Sequence, residues 1–143
     1  MTSVDGQHDD PHVVRHGRAA SGPFALEITP EGAGWSHCGL QVLELEPGGA
    51  ETIRTGDSEV VVLSLSGGAH VSVDDTTYTL VGRAGVFDGP SDVVYAPRDS
   101  TLTVDSERGG RFALCSARCS RRLAPAYLPR DEVPVELRGA GQA

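Results

Sequence analysis

The chain has 143 residues, a formal net charge of −8, and 12 basic residues that are all arginine. That balance argues against nucleic acid, whose phosphates want a basic face, and against an anionic membrane surface. No run approaches the roughly 18 apolar residues of a spanning helix. The length suits one domain able to bury a core without a disulfide or metal. Three cysteines, an odd number, fit a reduced, cytoplasmic protein better than a disulfide scaffold. The N-terminal residues are polar and acidic, unlike a secretory signal.

Residues 1–22 are rich in His and Asp and predict a flexible arm. His8, His12 and His16 recur every four residues, a spacing that on a helix would gather them as metal ligands. Pro11 and Gly17 interrupt that helix, so a solvated arm is the stronger reading.

From residue 24 the pattern turns to short strands, predicted at 24–29, 40–46, 59–68, 69–73, 76–81, 86–87, 92–97, 101–104 and 111–117. Turns are expected at Pro47-Gly48-Gly49, Gly67-Gly68 and Asp74-Asp75. No segment has a clean helical period. Strands this short and this closely spaced predict an all-β sandwich or barrel over residues 23–117. The expected core is Leu43, Leu45, Val61, Leu63, Leu65, Val86, Val94, Leu102 and Leu114. Residues 118–143 are rich in Arg and Pro. There Pro125, Pro129 and Pro134 prevent a long helix, and a short strand is expected at 133–137.

Few residues carry obvious chemistry. Cys115 and Cys119 are four apart but lack a second ligand pair for zinc. Cys115, in mid-strand, reads as a small buried apolar residue, and Cys38 is isolated. His37 beside Trp35 reads as structural or exposed, and His70 as facing solvent. Glu59 stands out, because period-2 alternation puts it on the face of Val61, Leu63 and Leu65. It either points into a barrel, where it needs a partner such as Arg54, Arg83 or Tyr95, or sits at a solvated strand end. These four residues are the candidate substrate-binding set. No catalytic residue is assigned.

The skeleton Pro47-Gly48, Glu59, Gly67, Gly85 and Pro97 resembles the cupins. In that family three His and one Glu converge on a divalent metal. Here Thr52 and Arg54 stand about where a His-x-His pair would be, and Arg98 to Thr101 contain no His, so the chain is expected to hold no metal. More specifically, the chain resembles the 5-deoxy-glucuronate isomerases of myo-inositol catabolism, relatives of the 5-keto-4-deoxyuronate isomerases. The resemblance rests on Trp35 with Gly39-Leu40, on 56–67, 82–100 and 115–117, and on 136–143. It implies a cupin-type jelly roll that forms the first half of a two-barrel protein, with residues 118–143 as an inter-barrel segment. It implies an aldose–ketose isomerisation of 5-deoxy-D-glucuronate to 2-deoxy-5-keto-D-gluconate. The divalent metal would lie in the second half, which would be a partner beside the sugar acid, with a homo-oligomer also open. A patch at Leu123, Tyr127, Leu128, Val133 and Leu137 would then be left exposed. Two other readings stay open: a metal-free cupin that binds a sugar acid, and a structural module that pairs barrels.

Overall fold

The computed structural model describes residue 10, residues 12–139 and residue 141. Among the described residues nine antiparallel strands follow in chain order: β1 (Phe24–Ile28), β2 (Cys38–Leu45), β3 (Gly49–Arg54), β4 (Ser58–Val73), β5 (Thr76–Arg83), β6 (Val93–Ala96), β7 (Thr101–Ser106), β8 (Gly110–Arg118) and β9 (Ala126–Leu128). Among the described residues the only helices are one α-helical turn, α1 (Pro30–Ala33), and a 3₁₀ turn at Arg130–Glu132. No helix among them is long and apolar enough to cross a membrane.

The strands form two layers joined through β4. One layer runs β1-β2-β8-β4-β6-β9. The other runs β5-β4-β7-β3. The sequence reads Gly67-Gly68 as a turn between two strands, but β4 is a single strand of 16 residues that passes from one layer to the other there. Residues 58–66 pair with β8 and β6, and residues 69–73 with β5 and β7. Gly67 takes φ 86° against Gly109, whose carbonyl oxygen would lie 2.6 Å from an added Cβ. So the glycine pair is a corner between layers, where a strand must bend and backbones approach closely.

The core lies between the layers and contains Leu43, Val60, Val62, Val71, Val73, Leu80, Val94, Leu102, Val104, Phe112 and Leu114. This reverses the expected parity of β4. Val60, Val62 and Ser64 point inward, while Val61, Leu63 and Leu65 are half-buried on the outer face. The run Val60-Val61-Val62-Leu63 is apolar at every position, so alternation cannot choose its inner face. Such runs mark strands covered on both faces. Val86 is also not core. A turn in which Asp88 N donates to Gly85 O carries Val86 and Phe87 at its tip, 48% and 100% exposed.

The outer face of the larger layer is continuous. One row across it is Leu26, Val42, Ala113, Leu63, Val93 and Leu128, and the next is Ile28, Leu40, Cys115, Val61, Tyr95 and Ala126. Cys115, expected to be buried, is exposed here. Val42 and Ala113 are only 8% and 6% exposed, although they stand outside the core cluster. Neighbours on this face therefore already shield one another.

Beyond β8, residues 133–137 form no strand, since Pro134 interrupts them. The added strand is β9, which extends the edge at β6. Tyr127 is not part of an exposed patch. It packs on the core and stacks with Tyr78, ring centroids 6.2 Å apart, whereas Leu123, Leu128 and Leu137 are 46%, 38% and 84% exposed. His8 lies outside the described residues. His12 and His16 are exposed in a segment without helix, so the helical face that would gather them is absent there.

Candidate functional site: the barrel mouth and the Glu59–Tyr95 pair

The space between the layers opens at one end into a hollow of about 150 Å³, lined by Gly39, Gln41, Ile53, Arg54, Thr55, Ser58, Val60 and Ser116 among others. Pairing of β1 with β2 sets Glu27 opposite Gln41, and Gln41 Nε2 donates to Glu27 Oε2 at 2.6 Å. Thr55, buried at the turn after β3, donates through Oγ1 to Pro97 O at 2.9 Å and accepts from Ser100 N at 2.9 Å. The mouth thus has a hydrogen-bonded polar rim. Its volume falls below the roughly 300 Å³ of ordinary small-molecule pockets.

The four candidate residues do not converge. Arg54, at the end of β3, is exposed at the rim of this hollow. Arg83 is spent on structure, its Nε donating to Ser64 O at 2.8 Å and its Nη1 to Gly89 O at 2.7 Å, which ties down the loop after β5. Glu59 and Tyr95 do meet, the Tyr95 hydroxyl donating to Glu59 Oε2 at 2.6 Å. They meet on the outer face, in line with Val61, and not inside the barrel, for the reason of parity given above. Desolvation, and then the hydrogen bond and charge of Glu59, push the Tyr95 phenol up to about 12.

The residues expected near the cupin ligand positions are also displaced. Thr52 is exposed on the outer side of β3, its hydroxyl 2.9 Å from that of Thr103 on β7, while Ile53 packs on the core. No three His, Cys, Asp or Glu come together among the described residues. Among the described residues no donor set of the kind that holds a divalent metal is assembled.

One polar centre was not anticipated from sequence. Asp92 is fully buried before β6. Its Oδ1 accepts from Gly82 N at 2.9 Å, and its Oδ2 accepts from Val81 N at 2.7 Å and the Tyr127 hydroxyl at 2.6 Å. That hydrogen bond, then desolvation, push Tyr127 up to about 12. Gly82 has φ 70°, and a Cβ there would collide with the Gly67 carbonyl oxygen. The Asp-Gly pairing thus closes the bottom of the barrel. The only sequence signal was Asp92 heading an apolar run, a place where polar residues ordinarily meet solvent.

Two other hollows lie outside the mouth. One of about 460 Å³ is lined by His37, Asp57, Arg98, Arg118, Cys119 and Ser120. Its arginines are already neutralised, Arg118 by Glu31 and Asp57 and Arg98 by Asp99. The other, about 520 Å³, is an open groove along Gly67–His70 and Thr79–Val81, with Asp105 and Glu107 beside Arg83 and Arg108.

With this geometry in place, known proteins supply the family. The KduI/IolB family profile matches residues 12–143. The chain belongs to the KduI/IolB family. Over 118 residues it is 31% identical to the 5-deoxy-glucuronate isomerase of Geobacillus kaustophilus, a match covering 81% of this chain and 43% of that protein. The 5-deoxy-glucuronate isomerase of Bacillus subtilis is 24% identical over 115 residues, or 79% and 42% of the two chains. The crystal structure of an IolB-like protein from Salmonella typhimurium superposes with a TM-score of 0.78 at 29% identity, covering 85% of this chain and 47% of that one. An oxalate decarboxylase structure shares the fold alone, with a TM-score of 0.53 at 16% identity over 64% and 24% of the two chains. The fold of this member is therefore the all-β, cupin-like one, and the chain spans a little under half the length of the two isomerases and the IolB-like protein.

Proposed function

We propose that this chain is one barrel of a two-barrel isomerase that converts 5-deoxy-D-glucuronate to 2-deoxy-5-keto-D-gluconate. The observation that carries the reading is the family match along residues 12–143, with relatives named for that isomerase. The reaction moves a proton between adjacent carbons through an enediol. It needs a base and an electrophile that holds the developing oxyanion. The described residues gather no metal-binding set for the second task, so in this reading that role falls to a partner barrel of the same family, which would hold the divalent metal. The contribution of this chain is then to shape and support the substrate-facing surface. Arg54, exposed at the mouth, is the group suited to a sugar carboxylate, because a guanidinium pairs with a carboxylate in bidentate fashion. The small volume of the mouth favours this supporting role over full enclosure of a six-carbon acid.

Genetic complementation tests the reading. In a bacterium deleted for its own 5-deoxy-glucuronate isomerase, growth on myo-inositol should return when this chain is produced with the second barrel of a relative, and with neither barrel alone. Failure of the pair to restore growth, with both proteins present and folded, would count against it and favour a metal-free sugar-acid binder.

A further inference from the structure

The inner face of the larger layer is apolar through the middle of the barrel and turns polar at the mouth. Side chains two apart along a strand share a face. One step outward from Leu43, Val60 and Leu114 of the core stand Gln41 on β2, Ser58 on β4 and Ser116 on β8. All three line the hollow of about 150 Å³, and Ile53, Val60 and Leu114 back it with carbon. Their bonds within the protein leave capacity over. Gln41 Nε2 donates to Glu27 Oε2 at 2.6 Å, and the carbonyl oxygen of that amide takes no donor among the described residues. Ser58 Oγ donates to Asp57 Oδ1 at 3.2 Å, which leaves its lone pairs open. The Ser116 hydroxyl is unpaired among the described residues, and Gly39 makes room for it, since a Cβ there would lie 2.6 Å from Ser116 Oγ. No sealed-in polar side-chain atom among the described residues lacks a partner, so these open groups are reached from the hollow.

We infer that the hollow binds a small neutral polyol, with adjacent hydroxyls on a short carbon chain. Gln41 Oε1 and Ser58 Oγ accept from two ligand hydroxyls, and the Ser116 hydroxyl donates to one of them. The carbon chain lies on Ile53, Val60 and Leu114. A few polar groups on an apolar lining is how small-molecule sites fix orientation. Charge selects against an anion. The charged side chains bonded to the polar row, Glu27 and Asp57, are both carboxylates, while Arg54 stays exposed at the rim. Size selects against a larger ligand. A hollow of about 150 Å³ equals roughly five waters at about 30 Å³ each, enough for a three-carbon polyol and too little for a whole six-carbon sugar. The inference concerns binding by this chain alone and uses nothing from the isomerase reading.

Backbone amide chemical shifts of the isotope-labelled full chain, titrated with glycerol, test it. Shifts at Gln41, Ser58, Ser116 and their strand neighbours should move and saturate in the millimolar range. Propanol, the same carbon chain with a single hydroxyl, and glycerate, an anionic counterpart, should each bind at least about tenfold more weakly. Ser116→Ala should weaken glycerol binding about fivefold, the loss of one neutral hydrogen bond. Ser58→Ala should weaken it in the same direction. Neither hydroxyl ties one strand to another, so both variants should keep the wild-type spectrum away from the mouth. Thr77→Ala, on the outer face of the smaller layer beside Ser72, should leave binding unchanged. Shifts that grow linearly without saturating would overturn the inference. So would equal binding of propanol or glycerate, binding that both serine variants leave untouched, or binding that Thr77→Ala abolishes.

Discussion

Replacing Asp92 with asparagine puts an NH₂ group where a carboxylate oxygen accepts hydrogen bonds. Asp92 takes three donors, Gly82 N on Oδ1 and both Val81 N and the Tyr127 hydroxyl on Oδ2. Whichever way the amide is turned, its nitrogen faces a backbone N–H of Val81 or Gly82 that cannot accept. The hydroxyl of Tyr127 can rotate to accept, so it gives no shelter to the backbone donor. One buried N–H is left without a partner in a site of 0% exposure, at a cost of about 2–3 kcal/mol. Asp92→Ala strands all three donors and leaves a small void, for about 3–5 kcal/mol. Tyr127→Phe removes one donor and leaves the carboxylate two backbone partners, for about 1–2 kcal/mol. Urea unfolding followed by circular dichroism measures these losses, with unchanged m-values showing that the unfolded state is not responsible. An Asp92→Asn variant within about 0.5 kcal/mol of wild type would refute the reasoning, since surface substitutions ordinarily fall in that range.

Three further outcomes follow from the same structure. Glu59→Ala should destabilise by about 1 kcal/mol, a small effect because the pair is half-exposed, while Glu59→Gln keeps an acceptor for Tyr95 and should lose less; equal losses in the two variants by thermal melting would count against the hydrogen bond. Tyr95 and Tyr127 are held protonated up to about 12, against an ordinary value of 10.0. The unfolded chain releases these protons first, so their contribution to stability is intact below about pH 10 and lost as pH rises toward about 12. Unfolding midpoints measured across that window should fall for the wild type and fall less for Tyr95→Phe or Tyr127→Phe; an unchanged midpoint would contradict this. Tag-free protein dialysed after exposure to zinc, manganese or iron should retain less than one equivalent by elemental analysis, and a full equivalent bound would show a ligand set that the described residues do not form.

Strand existence was legible from sequence wherever β-branched runs meet polar turns, as at residues 76–83 and 101–106. Two strands were missed, β3 and β9; β3 has the sequence Gly-Ala-Glu-Thr-Ile-Arg, with one large apolar residue and no run to detect. The error on β4 has a physical origin. With Val60 through Leu63 all apolar, a one-residue change of parity exchanges two equally plausible faces. Only neighbouring strands decide between them, here by setting Val62 against Leu114 and Val94. The same ambiguity left open whether Glu59 enters the barrel or sits at a solvated strand end; it bonds to Tyr95, one of its named partners, on the outer face. Asp92 and Arg83 show a different limit. Their partners are backbone groups of Val81, Gly82, Ser64 and Gly89, and backbone groups have no letter in a sequence.

Reconstitution with purified proteins tests the two-barrel account most directly. The chain, the second barrel of the Geobacillus kaustophilus relative, and their mixture would each be assayed for isomerisation of 5-deoxy-D-glucuronate with added divalent metal. The account predicts no turnover by this chain alone and turnover by the mixture above that of the second barrel alone. Turnover by this chain alone, or a mixture no more active than its second barrel, would contradict it.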